Sequence, residues 1–178
     1  AFVRYEIYPV ATSLLLVDPV LLLKTPRDYF IAGIGDTLAK WYEADVQLGK
    51  IDDKTVPMMI SYEAARQCKE LLLQHSEAAL QAVDTNTVNA AFIHVIETMF
   101  MYAGMVGGYG DHYGRTAGAH SIHNALTTLE ASHTQLHGVK VAYGICVQLL
   151  LEGKEDEIDA LQPFYDMLHL PQSLAALQ

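Results

Sequence analysis

From Pro26 onward the chain reads as helix after helix. Mixed faces such as Glu63, Ala64, Gln67, Glu70, Leu71 and Gln74 carry the amphipathic signal. The pattern predicts helices over about 26–48, 57–82, 86–105, 116–133, 137–152 and 155–169, with a further one opening at Pro171. Breaks are expected at 49–54, at Gly107-Gly108-Tyr109-Gly110 and at Glu152-Gly153. Ahead of Pro26 the character differs. Residues 2–8 alternate loosely and read as a strand, and Leu14–Val17 is apolar enough for a second, buried one. Two strands followed only by helices make no sheet of their own. The front therefore reads as the edge of a sheet whose other strands lie elsewhere. The expectation is an interior portion of a longer protein: residues 1–25 left from an α/β domain, then a mainly α, multi-helix domain over 26–178 that is cut short at its C-terminal end.

At 178 residues, 51% of them hydrophobic, the chain can bury a core, and disorder is excluded. A formal net charge of -10 argues against nucleic acid and anionic membranes as partners, because no basic stripe exists to meet phosphates. The apolar run Leu14–Leu23 is too short for a membrane span and is interrupted by Asp18 and Pro19. Cys68 and Cys146 lack metal-type spacing and read as reduced thiols of a cytoplasmic protein.

Five of the eight histidines fall between His112 and His137. His120 and His123 share a helix face at i,i+3, and His133 and His137 would share one at i,i+4 if a single helix ran through both. Asp36 interrupts an apolar stretch, Ile31-Ala32-Gly33-Ile34-Gly35-Asp36-Thr37-Leu38-Ala39. One carboxylate and two imidazoles suffice to hold a catalytic divalent metal with a position left open. The residues alone leave alternatives standing. Histidine pairs at helical spacing are commoner in cores and on surfaces than at metals, and Asp36 could be a helix-start acid held by the helix dipole. The glycine run at 107–114 has neither the strand before it nor the spacing of a phosphate loop. Ser121 and the cysteines show no nucleophile setting.

Four strings, in order, carry a resemblance. They are Asp18-Pro19 with Thr25-Pro26-Arg27, Ala32-Gly33-Ile34-Gly35-Asp36-Thr37-Leu38-Ala39-Lys40-Trp41-Tyr42-Glu43-Ala44, Ala119-His120-Ser121-Ile122-His123-Asn124-Ala125-Leu126, and His137-Gly138-Val139-Lys140-Val141-Ala142-Tyr143-Gly144. Over nearly its whole length the chain resembles the glycerol dehydrogenase branch of the metal-dependent alcohol dehydrogenases, the superfamily that includes dehydroquinate synthase. The resemblance implies an N-terminal nucleotide-binding half, of which 1–25 would be the last strands. It also implies a C-terminal dehydroquinate synthase-like helical half, with the active site between the two.

It implies a metal on Asp36, His120 and His137. The iron-using relatives carry a further His four residues after the Asp, where this chain has Lys40; that favours zinc, with iron or another divalent ion as the alternative. It implies NAD or NADP, held by the other half, and a homo-oligomer. The implied substrate is a small alcohol, polyol or hydroxyacid. This chain by itself should be inactive. His123, one turn from His120, is the candidate for supporting the metal ligands or relaying a proton. Arg115, five residues before His120, either faces the site, where a guanidinium would suit a carboxylate, or pairs with a surface acid. The expected activity is oxidation of a polyol or secondary alcohol. The alternatives are a 2-hydroxyacid dehydrogenase acting as a 2-oxoacid reductase, with Arg115 on the carboxylate, and a non-catalytic helical module.

Overall fold

The computed structural model describes residues 2–4, 6 and 13–177, and among these the regular structure is entirely helical. The α-helices are α1 (Pro19–Leu22), α2 (Arg27–Leu48), α3 (Val56–Thr85), α4 (Ala90–Glu97), α5 (Ala103–Gly110), α6 (Gly118–Leu126), α7 (His137–Leu151) and α8 (Glu155–Leu168). A π turn, Thr98–Tyr102, joins α4 to α5, and short 3-10 turns follow α5, precede α7 and lie at Leu174–Leu177. Local chemistry sets several boundaries. Asp18 accepts from the amides of Val20 and Leu21 and starts α1. Thr55 caps α3, and Asn86, in the left-handed conformation, ends it. Asn89 accepts from the Phe92 amide and donates to the Ala78 carbonyl, so it caps α4 and ties it to α3.

α2 is the central element, packed by α3 on one side and α7 on the other, with α6 and α8 carried on α7 and the α4–α5 run on α3. The larger core gathers Phe30, Ile34 and Leu38 of α2 with Phe92, Val95, Ile145, Leu149 and Leu161. Phe30 stacks on Phe92 with ring centroids 5.3 Å apart. A smaller core of Ala44, Leu48, Ala64, Ala65, Cys68 and Val106 sits under α5, and Trp41 borders both. By length and composition the run Ala90–Gly114 would also pass for a membrane span. Here Phe92, Val95, Ile96 and Val106 lie in the bundle's cores, as befits a helix of a packed domain.

The structure departs from expectation in four places. No strand forms among the described residues of 2–8 (residues 5, 7 and 8 lie outside them) or over Leu14–Val17, where Leu14, Leu15 and Leu16 are exposed. A lone extended segment has no neighbour to bond its backbone, so no ladder results. The glycine run does not break its helix at Gly107: α5 continues to Gly110, anchored by buried Val106, and turns at Asp111, which has φ 50°. α6 ends at Leu126 rather than near 133. Its last carbonyls are taken by hydroxyls, Thr127 to Asn124, Thr128 to Ala125 and Ser132 to Leu126. The segment after Pro171 forms a 3-10 turn over Leu174–Leu177, with Gln178 outside the described residues.

The tightest contacts are made by small residues. A Cβ built on Gly35 of α2 would lie 2.8 Å from the Gly138 carbonyl oxygen and 3.1 Å from the Ala142 Cβ, and one on Gly138 would collide with the Ala32 carbonyl. A Cβ on Gly144 would collide with the Ala119 carbonyl of α6. α7 therefore lies backbone-to-backbone against both α2 and α6. Gly138→Ala should force these helices apart and destabilise the protein by about 1–3 kcal/mol, the usual cost of overpacking. Thermal or denaturant unfolding would read this as a lowered midpoint, and an unchanged midpoint would contradict the close-packed crossing.

Candidate metal centre

Asp36, His120 and His137 each adjoin one of these close contacts. Asp36 follows Gly35, His137 precedes Gly138, and His120 follows Ala119. The three side chains converge, with one ligand atom from each lying within 4.8 Å of the others. Asp36 Oδ1 is 3.2 Å from His120 Nε2 and 3.3 Å from His137 Nε2. Yet at these separations the buried Oδ1 completes no well-formed hydrogen bond among the described residues. A buried, unsatisfied carboxylate oxygen facing two imidazole nitrogens is the arrangement a cation would complete. The mixed oxygen and nitrogen donor set fits zinc or a similar divalent ion. The side chain of His137 is 51% exposed and that of His120 only 12%, so the trio opens outward on the His137 side.

Charge around the trio is tightly managed. Burial alone would push the Asp36 carboxyl up, but His120 and His137 beside it, with Lys40 beyond, hold it well below the usual carboxylate range. Burial alone would lower His120, but Asp36 and Glu43 raise it to about 9. Burial, with the neighbouring His137 and Lys140 charges, lowers His123 below the usual imidazole value.

Behind the trio stands a residue that the sequence reading passed over. Glu43 is on the same face of α2 as Asp36 and is buried. Its Oε2 accepts from His120 Nδ1 at 2.7 Å, and its Oε1 accepts from the backbone amides of Ala117 and His120 at 2.6 and 2.9 Å. The carboxylate thus ties down the start of α6 and fixes the His120 ring through Nδ1, with Nε2 turned to Asp36. Its sequence signal was its spacing, seven residues or two turns from Asp36.

His137 is held comparably: its Nδ1 is 3.0 Å from His123 Nε2, and His123 Nδ1 is 3.0 Å from the Asn124 Oδ1. With His137 donating from Nδ1 and His123 donating to Asn124, every atom of this chain is satisfied and His137 Nε2 is left free to ligate. Gln148 of α7 fixes the scaffold, accepting from the Ala119 amide and donating to the Tyr42 carbonyl.

The trio borders a cavity of about 570 Å³ lined by Lys40, Arg115, His120, His123, Asn124 and His137 among others. Arg115 is thus one of the residues on the cavity wall. His133 does not join it: no helix runs through both His133 and His137, and His133 bonds the Thr127 carbonyl instead. His112 lies on the surface against Tyr113 and Asp111.

No family model matches the chain. Individual proteins do. Hydroxycarboxylate dehydrogenase A of Escherichia coli (strain K12) is 41% identical over 175 residues, covering 98% of this chain and 48% of that protein. Glycerol dehydrogenase of Thermotoga maritima is 34% identical over 180 residues, covering 99% and 48%. The crystal structure of glycerol dehydrogenase from Schizosaccharomyces pombe superposes with a TM-score of 0.85 at 30% identity, covering 98% of this chain and 45% of that one. The chain belongs to the glycerol dehydrogenase family. It corresponds to the family's C-terminal half and spans about half the length of the curated relatives it matches.

Glu43→Gln removes the charged acceptor while keeping the side chain's shape. It should weaken the affinity for an added divalent ion, zinc being the probe, by about ten- to a hundredfold. Competition against a chromophoric chelator measures this, and unchanged affinity in a normally folded variant would remove Glu43 from the centre.

Proposed function

We propose that the chain is the metal-binding half of a dinucleotide-linked dehydrogenase of a small polyol or secondary alcohol. In this reading residues 26–178 are the helical domain, and residues 1–25 lead out of a nucleotide-binding half. The observation that carries the reading is the convergence of Asp36, His120 and His137 around an unsatisfied, buried Asp36 oxygen at the edge of an open cavity. The names of the relatives, glycerol dehydrogenases and a hydroxycarboxylate dehydrogenase, agree with it.

Asp36, His120 and His137 would hold a divalent ion, zinc being the one their chemistry suits best. When bound, such an ion polarises the substrate oxygen and lowers the pKa of its hydroxyl. The chain's own residues do the rest. Glu43 and His123 keep the two imidazoles aimed, and the buried side of the trio excludes water behind His120. NAD or NADP, bound chiefly by the other half, would accept the hydride. A second reading, oxidation of a 2-hydroxyacid, is favoured by Arg115 on the cavity wall.

Freshly purified complete protein should contain about one zinc per chain. Elemental analysis showing no divalent metal would overturn the reading. His120→Ala should abolish turnover in the complete enzyme while dinucleotide affinity, measured by fluorescence titration, stays close to wild type. Loss of dinucleotide affinity in step with rate would break the proposed division of labour between the halves.

A further inference from the structure

The cavity beside the trio has two unlike sides. One is polar and includes His120, His123, Asn124 and His137. The other is apolar and nearly bare, formed by Phe2, Ala103 and Gly107. Phe2 is held there by its amide, which donates to the Thr127 hydroxyl at 2.7 Å. Ala103 and Gly107 stand one turn apart on α5 and so share a helix face. Most glycines of this chain are small for a reason of fit or conformation: a Cβ would crowd a neighbour or, at Gly153, φ is positive. Gly104, Gly107 and Gly108 are different, because a Cβ on any of them would meet nothing within 4 Å among the described residues. Gly104 and Gly108 are exposed to solvent, and Gly107 alone of the three borders the cavity. Space at Gly107 is therefore cavity space, and the cavity reaches the backbone of α5. Its volume of about 570 Å³ lies in the range that holds ligands much larger than a three-carbon polyol.

We infer that Gly107 sets the substrate size this site accepts, and that the substrates are 1,2-diols or secondary alcohols carrying an apolar chain of several carbons. This rests on the dehydrogenase reading above. The hydroxyl lies at the trio, on the polar side. The carbon chain lies across the cavity against α5, where Phe2, Ala103 and the backbone at Gly107 offer an apolar surface. Burying such a chain is favourable in proportion to its apolar area, and each methylene adds to the discrimination. A side chain at position 107 would project into the space the substrate fills, since among the described residues no protein atom stands there to turn it aside. Gly107 acts by lacking a side chain and takes no part in the bond changes. Its substitution alters which alcohols fit and leaves the metal ligands as they are.

The test uses the complete enzyme with oxidised nicotinamide cofactor and two substrates, propane-1,2-diol and hexane-1,2-diol. Binding of two metal-chelating probes, acetohydroxamate and hexanohydroxamate, is measured alongside by calorimetry on zinc-loaded enzyme. The wild type should favour the longer diol in kcat/KM and the longer hydroxamate in affinity. Gly107→Leu should lower the ratio of hexanediol to propanediol kcat/KM by about ten- to a hundredfold, chiefly through KM, with the hydroxamate affinity ratio falling in parallel. Gly107→Ala, whose methyl meets no neighbour among the described residues, should fold normally and shift both ratios the same way by less. Gly108→Leu, on the solvent side of the same helix, should leave both ratios unchanged. Equal losses for both lengths, an equal shift from Gly108→Leu, or a wild type that prefers propane-1,2-diol would each overturn the inference. So would a change confined to the KM of the dinucleotide, which would give the bare wall to the cofactor instead. A protein that oxidises neither diol, yet loses its preference for hexanohydroxamate in Gly107→Leu, would keep the wall and sink the dehydrogenase reading.

Discussion

The contact between the backbones of α2 and α7 at Gly35 and Gly138 governs the rest of this structure. Helices usually pack with 8–10 Å between axes, spaced by side chains. Here glycine removes the spacer, and the residues flanking the contact, Asp36 and His137, are brought together as neighbours. Gly144 against Ala119 does the same between α7 and α6, which delivers His120. The centre is therefore assembled by three helices whose separations are set by missing side chains. A substitution at any of these glycines would act on chemistry through distance, without touching a ligand atom.

The second constraint is electrostatic. A carboxylate in an apolar helix is costly to bury unless something positive meets it. The fold sets two imidazoles beside it, held in register by Glu43 and His123, and still leaves Oδ1 without a hydrogen bond among the described residues. Glu43 does more than orient a ring. By accepting two backbone amides it also holds the start of α6, so the same buried charge shapes the helix and the site.

Much of this was legible in the chain itself. The α-helical character after Pro26 followed from periodicity, and Asp36, His120 and His137 stood out through the strings around them. Glu43 did not, because an acid two turns along a long helix looks like any solvated residue until its burial is known. The ends of α6 and α5 were misread for opposite reasons. Thr127, Thr128 and Ser132 stop a helix through hydroxyl-to-carbonyl bonds that a hydrophobic pattern does not register. At Gly107 and Gly108, tertiary packing through Val106 carries a helix across residues with poor helical propensity. The strands expected near the front failed because a strand is a property of a pair, and the described chain supplies no second member.

The π turn between α4 and α5 has a geometric effect that reaches the cavity. It inserts one residue into an otherwise continuous helix, and each residue turns an α-helix by about 100°. Everything after Tyr102 is thereby rotated relative to the face that α4 presents to the core. That rotation sets which residues of α5 border the cavity: Ala103 and Gly107 do, while bulky Tyr109 is exposed to solvent. Had the helix been one residue shorter at this point, the same sequence of side chains would have met the cavity in a different order. The bare wall is thus a matter of phase as much as of composition.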